Sequence, residues 1–442
     1  MYTDVVIIGT GKTGLSCARY FEKQGIPFSI IDTADPLAQT ILSKAKTIVV
    51  SPGVPSDHPI IHAAMQSDHP PEIIGDIELF ARAYQGSLVA ITGSNGKSTV
   101  TTLVGEMAKA AGSDVGVGGN LGTPVLDLLA ENHKLYVLEL SSFQLESTYS
   151  LQPSVATILN LSPDHLDRYD GMIDYAHAKA HIFLNAQKMV LNRDDLLVVQ
   201  IAAEFGSAQQ DKLHSANIPT ITFGLDAPAF QDYGIIFDAG IRWLARGQQK
   251  LIKVSELKLL GNHNVANALA ALALAESVDL PMVSSLQALK DFKGLAHRCE
   301  WVRNYQGIPF INDSKGTNVG ATMASLQGLG ESIPGKWILI AGGVAKNADF
   351  SPMKEILQRS CRTLILMGEA AEELETLFGD LLPCLRAKDM DEAVIKALKA
   401  TQPGDGVLLS PMCASLDMFK NFEVRGEVFK TAVEQLNDGN YV

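Results

Sequence analysis

The sequence predicts an α/β protein with mainly parallel sheets, divided into three domains. The chain has 442 residues, which is too long for one ordinary hydrophobic core. Apolar strand-like runs alternate with helical patterns along it, and glycines often follow these runs, a combination that favours parallel sheets. We place the domains at residues 1–86, 87–294 and 295–442, each of an ordinary domain size.

The composition excludes some classes of partner. The formal net charge is −13, so nucleic acid and anionic membranes would be repelled except at local basic sites. The start of the chain lacks a signal-peptide pattern, and the longest apolar run, 268–275, cannot span a bilayer. The five cysteines are scattered, which favours reduced thiols. We expect a cytoplasmic monomer that binds no nucleic acid and inserts in no membrane.

The first domain opens with a nucleotide-fold signal. A predicted strand at 4–8 leads into residues 9–14, which match G-x-G-x-x-G at the start of a helix. A second apolar run, 28–31, ends at Asp32, where dinucleotide folds place a ribose-binding acid. A turn-rich stretch at 51–55 and the pair Pro70-Pro71 then close the unit. This order predicts a Rossmann-like N-terminal domain.

The second domain begins with a strand that runs into a phosphate-binding loop. The apolar strand near 90 leads to two glycines, a lysine and hydroxyl residues, in the order Gly93, Ser94, Asn95, Gly96, Lys97, Ser98, Thr99. The helix that follows would direct its free N–H groups at an anion. We expect Lys97 to reach the β- and γ-phosphates and Ser98 to ligate Mg²⁺. Ile91 stands where the general P-loop pattern has its first glycine, so this loop is a shortened variant.

The strands after the loop should supply Mg²⁺ ligands. Glu139 ends the strand predicted at 135–140, although a surface acid at a strand end is the alternative. His165 lies in a dense polar turn after the strand predicted at 155–159. Lys179 lies in a predicted helix, and a solvated lysine is its ordinary interpretation. A buried lysine, in contrast, could lose its proton and take up CO₂ to become a carboxylate that holds Mg²⁺.

Two asparagines share one face at the start of a helix predicted at 264–278. Asn264 and Asn267 are three residues apart, and capping would explain one of them. Two amides backed by alanines favour a flat surface for a base or a ribose.

The third domain contains three predicted strands, 337–343, 363–368 and 406–410, that each end in glycine or small polar residues. Three polar edges follow strands in this domain, at 311–318, at 341–346 and at 409–417 with 419–426. Ligands in open α/β sheets bind at the carboxyl ends of strands, so we expect a small-substrate site in a Rossmann-like C-terminal domain.

These segments together resemble the Mur ligase family, the ATP-dependent amide-forming enzymes of peptidoglycan precursor synthesis. The resemblance covers the whole chain. Its motifs are the start at Gly9, the loop 92–99, 119–122, 139–144, 164–169, Lys179, 264–267, His297-Arg298, 312–315 and 409–415.

The resemblance implies an activity. ATP would phosphorylate the carboxylate of UDP-N-acetylmuramoyl-L-alanine, and the amine of D-glutamate would attack the acyl phosphate through a tetrahedral intermediate. Lys97 and Ser98 would hold phosphates and Mg²⁺, and two Mg²⁺ ions would be bound by Glu139, His165 and a Lys179 carrying a CO₂-derived carbamate. Two cations and several lysines would offset the charge of the reactants.

The resemblance also implies binding roles for other residues. The adenine nucleotide would be held by Asn264, Asn267, Arg298 and Asp313, in addition to the loop. The UDP substrate would be bound by Lys12, Thr13, Asp32 and Thr33, with Asn120 near the acyl phosphate. D-Glutamate would be bound by Lys315, Thr317, Lys346, Ser415 and Phe422. One departure is that 343–346 lacks the acidic residue expected after the glycines.

Three other functions remain as alternatives. The nearest is another amide ligase of the superfamily, such as a folylpolyglutamate-type enzyme or the ligase that adds the next amino acid, although the chain lacks the Asp-Asn-Pro-Arg motif of the diaminopimelate-adding ligases. An NAD-dependent oxidoreductase would account for 9–14 and Asp32 but would leave 92–99 unexplained. A nucleotide-gated regulatory protein without chemistry would leave Glu139, His165 and Lys179 unexplained.

Overall fold

The chain folds into three sheets within two compact units. The computed structural model describes residues 3–55, 58–120, 122–162, 168–213, 218–259, 261–330, 332–345 and 348–437. One unit comprises Met1–Val254 with Ala266–Lys290, and the other comprises Ser255–Val265 with Asp291–Val442. The first unit contains a 4-stranded and a 9-stranded sheet, and the second contains a 6-stranded sheet. The predicted three-domain α/β architecture is confirmed, whereas the boundaries at 86 and 294 stay predictions.

The first sheet is entirely parallel, with the order β2-β1-β3-β4. Its strands are β1 Val5–Ile8, β2 Phe28–Ile31, β3 Thr47–Val50 and β4 Glu72–Ile74, and its helices are α1 Lys12–Gln24, α2 Ala38–Leu42, α3 Pro59–Met65 and α4 Asp76–Ala81. Helix α1 packs tightly on β1 because Gly14 has no side chain. A Cβ there would lie 1.9 Å from the Gly9 carbonyl oxygen.

The second sheet has the order β13-β12-β11-β10-β9-β8-β5-β7-β6. Its strands are β5 Ser87–Thr92, β6 Val115–Gly119, β7 Leu135–Glu139, β8 Val155–Ile158, β9 Met189–Asn192, β10 Thr220–Phe223, β11 Tyr233–Asp238, β12 Ile241–Arg246 and β13 Gln249–Lys253. The helices of this part of the chain are α5 Lys97–Ala110, α6 Val125–Leu129, α7 Ser142–Glu146, α8 Met172–Ala180, α9 Leu196–Leu213, α10 Asn262–Ser277 and α11 Met282–Asp291, with short 3₁₀ turns at His181–Phe183 and Val254–Glu256.

Most of this sheet is parallel, and β5 lies between β7 and β8. Ile91 pairs with Glu139 of β7, and Thr92 pairs with Ile158 of β8. The carboxyl ends of these strands therefore meet at one edge. The antiparallel ribbon formed by β11, β12 and β13 was not predicted from the sequence.

The third sheet has the order β14-β15-β19-β16-β17-β18, parallel except for the pair β14 and β15. Its strands are β14 Glu300–Tyr305, β15 Ile308–Asn312, β16 Trp337–Gly342, β17 Cys361–Met367, β18 Cys384–Arg386 and β19 Gly406–Leu409. Its helices are α12 Val319–Leu329, α13 Met353–Ser360, α14 Ala371–Phe378, α15 Met390–Ala400 and α16 Phe422–Glu434.

The first two sheets share one hydrophobic core. Ile7 and Phe80 from the first sheet and its helices belong to the same buried cluster as Leu88, Tyr136 and Leu138 from the second. This shared core explains why both sheets fall within one compact unit. Over the part of the chain that the structure describes, no helix combines the length and the apolarity needed to cross a membrane.

Candidate active site

The phosphate-binding loop has the strand-loop-helix geometry predicted from its sequence. Strand β5 ends at Thr92, and helix α5 begins at Lys97. Gly93 has a φ of +150°, and Gly96 caps the helix in the left-handed region at +81°. These two conformations suit glycine, and the first N–H groups of α5 have no carbonyl partner within the helix. A helix N-terminus with such free N–H groups is a favourable place for an anion.

Residues that follow strand β8 hold this loop by hydrogen bonds. The backbone N–H of Asn95 donates to the Asn160 Oδ1 atom at 2.8 Å, and the Asn160 Nδ2 atom donates to the Asn95 carbonyl at 3.0 Å. Ser94 Oγ donates to the Ser162 carbonyl at 3.0 Å. Asn160 was not singled out from the sequence, although its place directly after a predicted strand could have identified it.

Lys97 folds over its own loop. Its Nζ atom donates to the carbonyl oxygens of Gly93 at 2.7 Å and Ser94 at 2.9 Å. The ammonium group thereby lies beside the same loop that presents the free N–H groups of α5. A lysine ammonium is a compact positive charge of the kind that binds phosphate oxygens in proteins.

Glu139 is buried at the end of β7, and only 3% of it is exposed. Its Oε1 atom accepts a hydrogen bond from Asn120 Nδ2 at 2.9 Å. Its Oε2 atom has no hydrogen-bond partner within the described residues. A buried carboxylate oxygen with spare acceptor capacity suits a hard cation, and the alternative of a surface acid is wrong.

Lys179 is also buried, with 2% of its surface exposed, so the solvated-lysine interpretation is wrong. Its Nζ atom lies 3.5 Å from the Thr92 hydroxyl and 4.6 Å from the centre of the Tyr175 ring. Thr92 Oγ1 donates to the Leu140 carbonyl at 2.7 Å. Thr92 therefore connects the lysine with the turn that follows Glu139.

The oxygen donors at this edge fit Mg²⁺. Glu139 offers an unpartnered carboxylate oxygen, and Ser98 presents a nearly buried hydroxyl at the start of α5. Within the described ranges, no group of three or more His, Cys, Asp and Glu side chains is placed to hold a metal ion. His165, the remaining predicted ligand, lies outside the described residues.

The two predicted amides lie near the start of α10. This helix begins at Asn262, so Asn264 and Asn267 lie inside its first two turns, and both are more than nine-tenths buried. A Cβ atom on Gly96 would lie 2.4 Å from Asn267 Oδ1. Asn267 therefore lies directly against the phosphate-binding loop, and Gly96 has to be small to admit it.

The residues predicted to bind UDP lie at the carboxyl edge of the first sheet. Lys12 and Thr13 open α1 directly after the glycine turn, and Asp32 and Thr33 follow β2. The Asp32 carboxylate is exposed and accepts a hydrogen bond from the Ala34 N–H at 3.1 Å. These residues follow the neighbouring strands β1 and β2, as the sequence predicted for a nucleotide fold.

In the second unit, the three predicted polar strand ends are neighbours. Strands β15, β19 and β16 lie side by side, and a bridge between Val344 and Ala414 joins the segments after β16 and β19. Ser415 is buried next to this bridge, and Thr317 lies five residues beyond the end of β15. Lys346 lies outside the described residues.

Asp313 is buried at the end of β15. Its Oδ2 atom accepts hydrogen bonds from the hydroxyls of Ser325 at 2.6 Å and Ser410 at 2.7 Å, and its Oδ1 atom accepts from the Cys299 N–H at 3.2 Å. Burial raises the pKa of Asp313 to about 6, although the hydroxyls and the backbone N–H act in the opposite direction. The positive charge of Arg298 also lowers the pKa of Asp313, by a smaller amount.

Lys315 and Phe422 lie together on the same edge. The Lys315 Nζ atom lies 5.2 Å from the centre of the Phe422 ring. Arg425, three residues further along α16, is buried, and its Nε and Nη2 atoms donate to the Ser314 hydroxyl at 3.0 Å and the Ser314 carbonyl at 2.9 Å. This arginine ties α16 to the strand end that carries Lys315. Arg425 lies in one of the polar segments predicted from the sequence but received no role there, because its contact with Ser314 joins residues 111 positions apart.

Family models match most of the chain. Residues 91–275 match the Mur ligase middle domain, and residues 297–413 match the model described as Mur ligase, glutamate ligase domain. Residues 3–36 match the MurD-like N-terminal domain of Mur ligases.

Similar proteins cover the full length of the chain. The UDP-N-acetylmuramoylalanine–D-glutamate ligase of Pseudomonas aeruginosa is 48% identical over 98% of this chain and 98% of its own, and that of Hahella chejuensis is 46% identical with the same coverage. Among solved structures, UDP-N-acetylmuramate-alanine ligase from Thermotoga maritima covers 98% of this chain and 99% of its own, with a TM-score of 0.59 and 19% identity. A pseudomurein peptide ligase type C from Methanothermus fervidus covers 98% of this chain and 100% of its own, with a TM-score of 0.58 at 19% identity. The likeness to these two structures concerns the fold.

Proposed function

Because the chain belongs to the Mur ligase family, we propose that it joins D-glutamate to UDP-N-acetylmuramoyl-L-alanine at the expense of ATP, a step of peptidoglycan precursor synthesis. The full-length relatives at 46 to 48% identity carry the name of this ligase. The observation in the structure that supports ATP-dependent chemistry is the strand edge where the phosphate-binding loop, Glu139 and the buried Lys179 come together. The oxidoreductase alternative gives no role to the residues of this edge.

The reaction begins with the transfer of the γ-phosphoryl group from ATP to the substrate carboxylate, which yields an acyl phosphate and ADP. The N–H groups at the start of α5 and the Lys97 ammonium would offset the charge of the phosphate oxygens. Both reactants are anions, so their approach depends on this positive edge. Asn120 lies beside Glu139 and would hold the acyl-phosphate region.

The metal-binding role falls to residues of this same edge. Ser98 and Glu139 would hold Mg²⁺ together with His165, and a carbamate on Lys179 would supply a further carboxylate for a second ion. When bound, Mg²⁺ supplies charge neutralisation on phosphate oxygens. An uncharged amine adds to CO₂ to form a carbamate with loss of a proton, and the burial of Lys179 would shield such a group from bulk water.

In the next step the amide bond forms, and residues of the second unit would bind D-glutamate for it. The uncharged amine of D-glutamate attacks the acyl carbon, and the tetrahedral intermediate collapses with loss of phosphate and of one amine proton. Lys315 and Phe422, which are in contact, would bind D-glutamate with Thr317, Lys346 and Ser415. Lysine ammonium groups suit the two carboxylates of this amino acid. Asn264, Asn267, Arg298 and Asp313 would hold the adenine nucleotide.

The proposed activity is tested by phosphate release from the purified full chain. We expect release to require ATP, Mg²⁺, UDP-N-acetylmuramoyl-L-alanine and D-glutamate together, and mass spectrometry of the product to show one added glutamate. L-Glutamate, L-lysine and diaminopimelate are the controls for the amino acid.

Turnover with diaminopimelate or L-lysine in place of D-glutamate would reassign the chain to another member of the family. Glutamate addition to a folate would support the folylpolyglutamate-type alternative. Hydride transfer from NADH would contradict ligase chemistry altogether.

A further inference from the structure

Helix α4 carries two buried acids whose contacts differ. Both carboxylate oxygens of Glu78 have partners. Its Oε2 atom accepts hydrogen bonds from the N–H groups of Tyr149 at 2.7 Å and Ser150 at 2.9 Å, and its Oε1 atom is paired with Arg82 Nε at 2.9 Å. Tyr149 and Ser150 belong to the loop after α7, and Ser150 also donates its hydroxyl to Glu78 Oε1 at 2.7 Å, so Glu78 fixes this loop with both oxygens engaged. A carboxylate satisfied in this way needs no function beyond stability.

Asp76, two residues earlier, is not satisfied in the same way. Only 3% of it is exposed, and its Oδ2 atom accepts a hydrogen bond from Gln144 Nε2 at 3.4 Å. Its Oδ1 atom has no hydrogen-bond partner among the residues that the structure describes. Burial raises the pKa of Asp76 to about 6, although hydrogen bonds from Gln144 and from the backbone of Asp76 and Ile77 act in the opposite direction.

The contact with Asp76 decides which way the Gln144 carboxamide is turned. The Gln144 Oε1 atom accepts from the Ser141 N–H at 3.1 Å and lies 3.3 Å from the Ser141 hydroxyl. A flipped amide would set an NH₂ donor against the Ser141 N–H and an oxygen against the Asp76 carboxylate. The hydrogen bonds with Asp76 and with Ser141 therefore favour the same orientation of the Gln144 carboxamide.

This orientation bears on Glu139, because Ser141 follows it by two residues. Ser141 Oγ caps α7 by accepting from the Gln144 N–H at 3.2 Å. On the other side of the turn, the Leu140 carbonyl accepts from Thr92 Oγ1 at 2.7 Å, and the Leu140 N–H donates to the Ile91 carbonyl at 2.9 Å. Hydrogen bonds to β5 therefore fix Leu140 in the turn after Glu139, and hydrogen bonds to Gln144, which contacts Asp76, fix Ser141.

We propose that Asp76 is a positioning residue: by orienting the Gln144 carboxamide, it fixes the turn that carries Glu139 and so sets the direction of the Glu139 carboxylate. This inference rests on the proposed role of Glu139 as a metal ligand. Asp76 itself acts from the first sheet, 63 residues before Glu139 in the sequence, and connects that sheet with the phosphate-binding edge.

Hydrogen exchange measured by mass spectrometry tests the positioning directly and needs no turnover. In Asp76→Leu, which removes the acceptor, we expect exchange in peptides covering 140–146 to rise about tenfold, the value of one lost hydrogen bond. Asp76→Asn keeps an acceptor oxygen and should preserve most of the protection. Glu78→Gln is the matched control, and it should loosen peptides covering 148–151 instead.

Activity supplies the second readout. Asp76→Leu should lower kcat about tenfold and raise the Mg²⁺ concentration needed for half-maximal rate, with the KM for D-glutamate unchanged, whereas Asp76→Asn should restore kcat. Glu78→Gln should lower the unfolding temperature without altering the Mg²⁺ requirement.

Unchanged exchange at 140–146 in Asp76→Leu would overturn the inference. If that variant does not fold, Asp76→Ala, which also removes the acceptor, decides in the same way when it is read against Glu78→Gln. Failure of the wild-type chain to use D-glutamate would reject the proposed function, yet the exchange result would still decide separately whether Asp76 positions the turn.

Discussion

Gly96 shows how strongly a single backbone position restricts the phosphate-binding loop. Its φ of +81° belongs to the left-handed region, and a Cβ would lie 2.4 Å from Asn267 Oδ1. We expect Gly96→Ala to weaken binding of an ATP analogue more than tenfold in calorimetry, because the left-handed conformation costs about 1–2 kcal/mol and the contact displaces Asn267.

A matched control for this prediction exists at the other end of α5. Gly112 has a φ of +73°, but a Cβ there would meet no heavy atom of the described residues within 4 Å. Gly112→Ala should therefore lose about 1 kcal/mol of stability and keep its nucleotide affinity. Equal loss of affinity in both variants would show that backbone strain, and not the contact with Asn267, decides the result.

Lys179 carries the second prediction at this scale. We expect Lys179→Ala to lose activity, because the variant lacks the amine that would form the carbamate, and to regain part of it when acetate or another short carboxylic acid is added. Lys188→Ala, which removes a hydrogen bond from Nζ to the Ser277 carbonyl, is the control and should show no such rescue. A fully active Lys179→Ala variant would refute the role given to this lysine.

Between elements, one ion pair ties the start of β17 to the turn before β19. Arg362 Nε and Nη2 donate to the two oxygens of Asp405 at 2.5 and 3.0 Å, and the Asp405 side chain is 0% exposed. Burial alone raises the pKa of Asp405, but Arg362 and the N–H groups of Lys336 and Gln402 outweigh it and hold the pKa below its ordinary value.

Arg362→Gln should lower the free energy of unfolding of the second unit by about 2–3 kcal/mol, because it leaves a buried carboxylate without its cation. The sign of the pH effect follows from the lowered pKa: the pair stabilises above the ordinary aspartate pKa, and this stabilisation is lost as pH falls through the lower folded value. Urea unfolding at pH 7 and at pH 3 checks both points, with a larger difference from wild type expected at pH 7.

The control for this pair is an exposed one in the same unit. Arg386 Nη2 lies 2.6 Å from Glu375 Oε2, and both side chains are at least 39% exposed. Arg386→Gln should cost less than about 1 kcal/mol. If both substitutions had equal effects, burial would not be the factor that gives the Arg362 pair its strength.

Element positions were predictable where local residues determine them. The strand at 28–31 and a helix directly after the phosphate-binding loop are confirmed, since apolar runs, glycines and polar strand ends act within a few residues. The ribbon of β11 to β13 escaped prediction because its turn carries Ala239, at a φ of +47°, instead of a typical Asn-Gly pair. The burial of Lys179 and the contact of Asp76 with Gln144 also escaped it, because both depend on residues about 70 to 90 positions apart.

At the level of the molecule, the core shared by the first two sheets makes a prediction about cooperativity. Phe80 is 0% exposed, stacks on Tyr84 at 4.9 Å and meets Tyr136 of β7 edge-on at 5.1 Å. Phe80→Ala should cost about 3–5 kcal/mol and should increase hydrogen exchange in β1 and β5 together. Phe378→Ala, in the core of the second unit, is the control and should act on β16 and β17. Faster exchange in β1 with full protection of β5 would mean that the two sheets are separately stable.

The position of β5 in its sheet also determines when this strand can fold during synthesis of the chain. Both partners of this strand, β7 and β8, follow it in the sequence, so at least 66 further residues must be made before β5 is paired on both sides. Until β8 is made, one edge of β5 lacks its partner strand even when β7 has paired with the other edge, and pairing of distant strands is slow. Nascent chains stopped before residue 155 should therefore bind chaperones at β5, and those extended past β8 should release them.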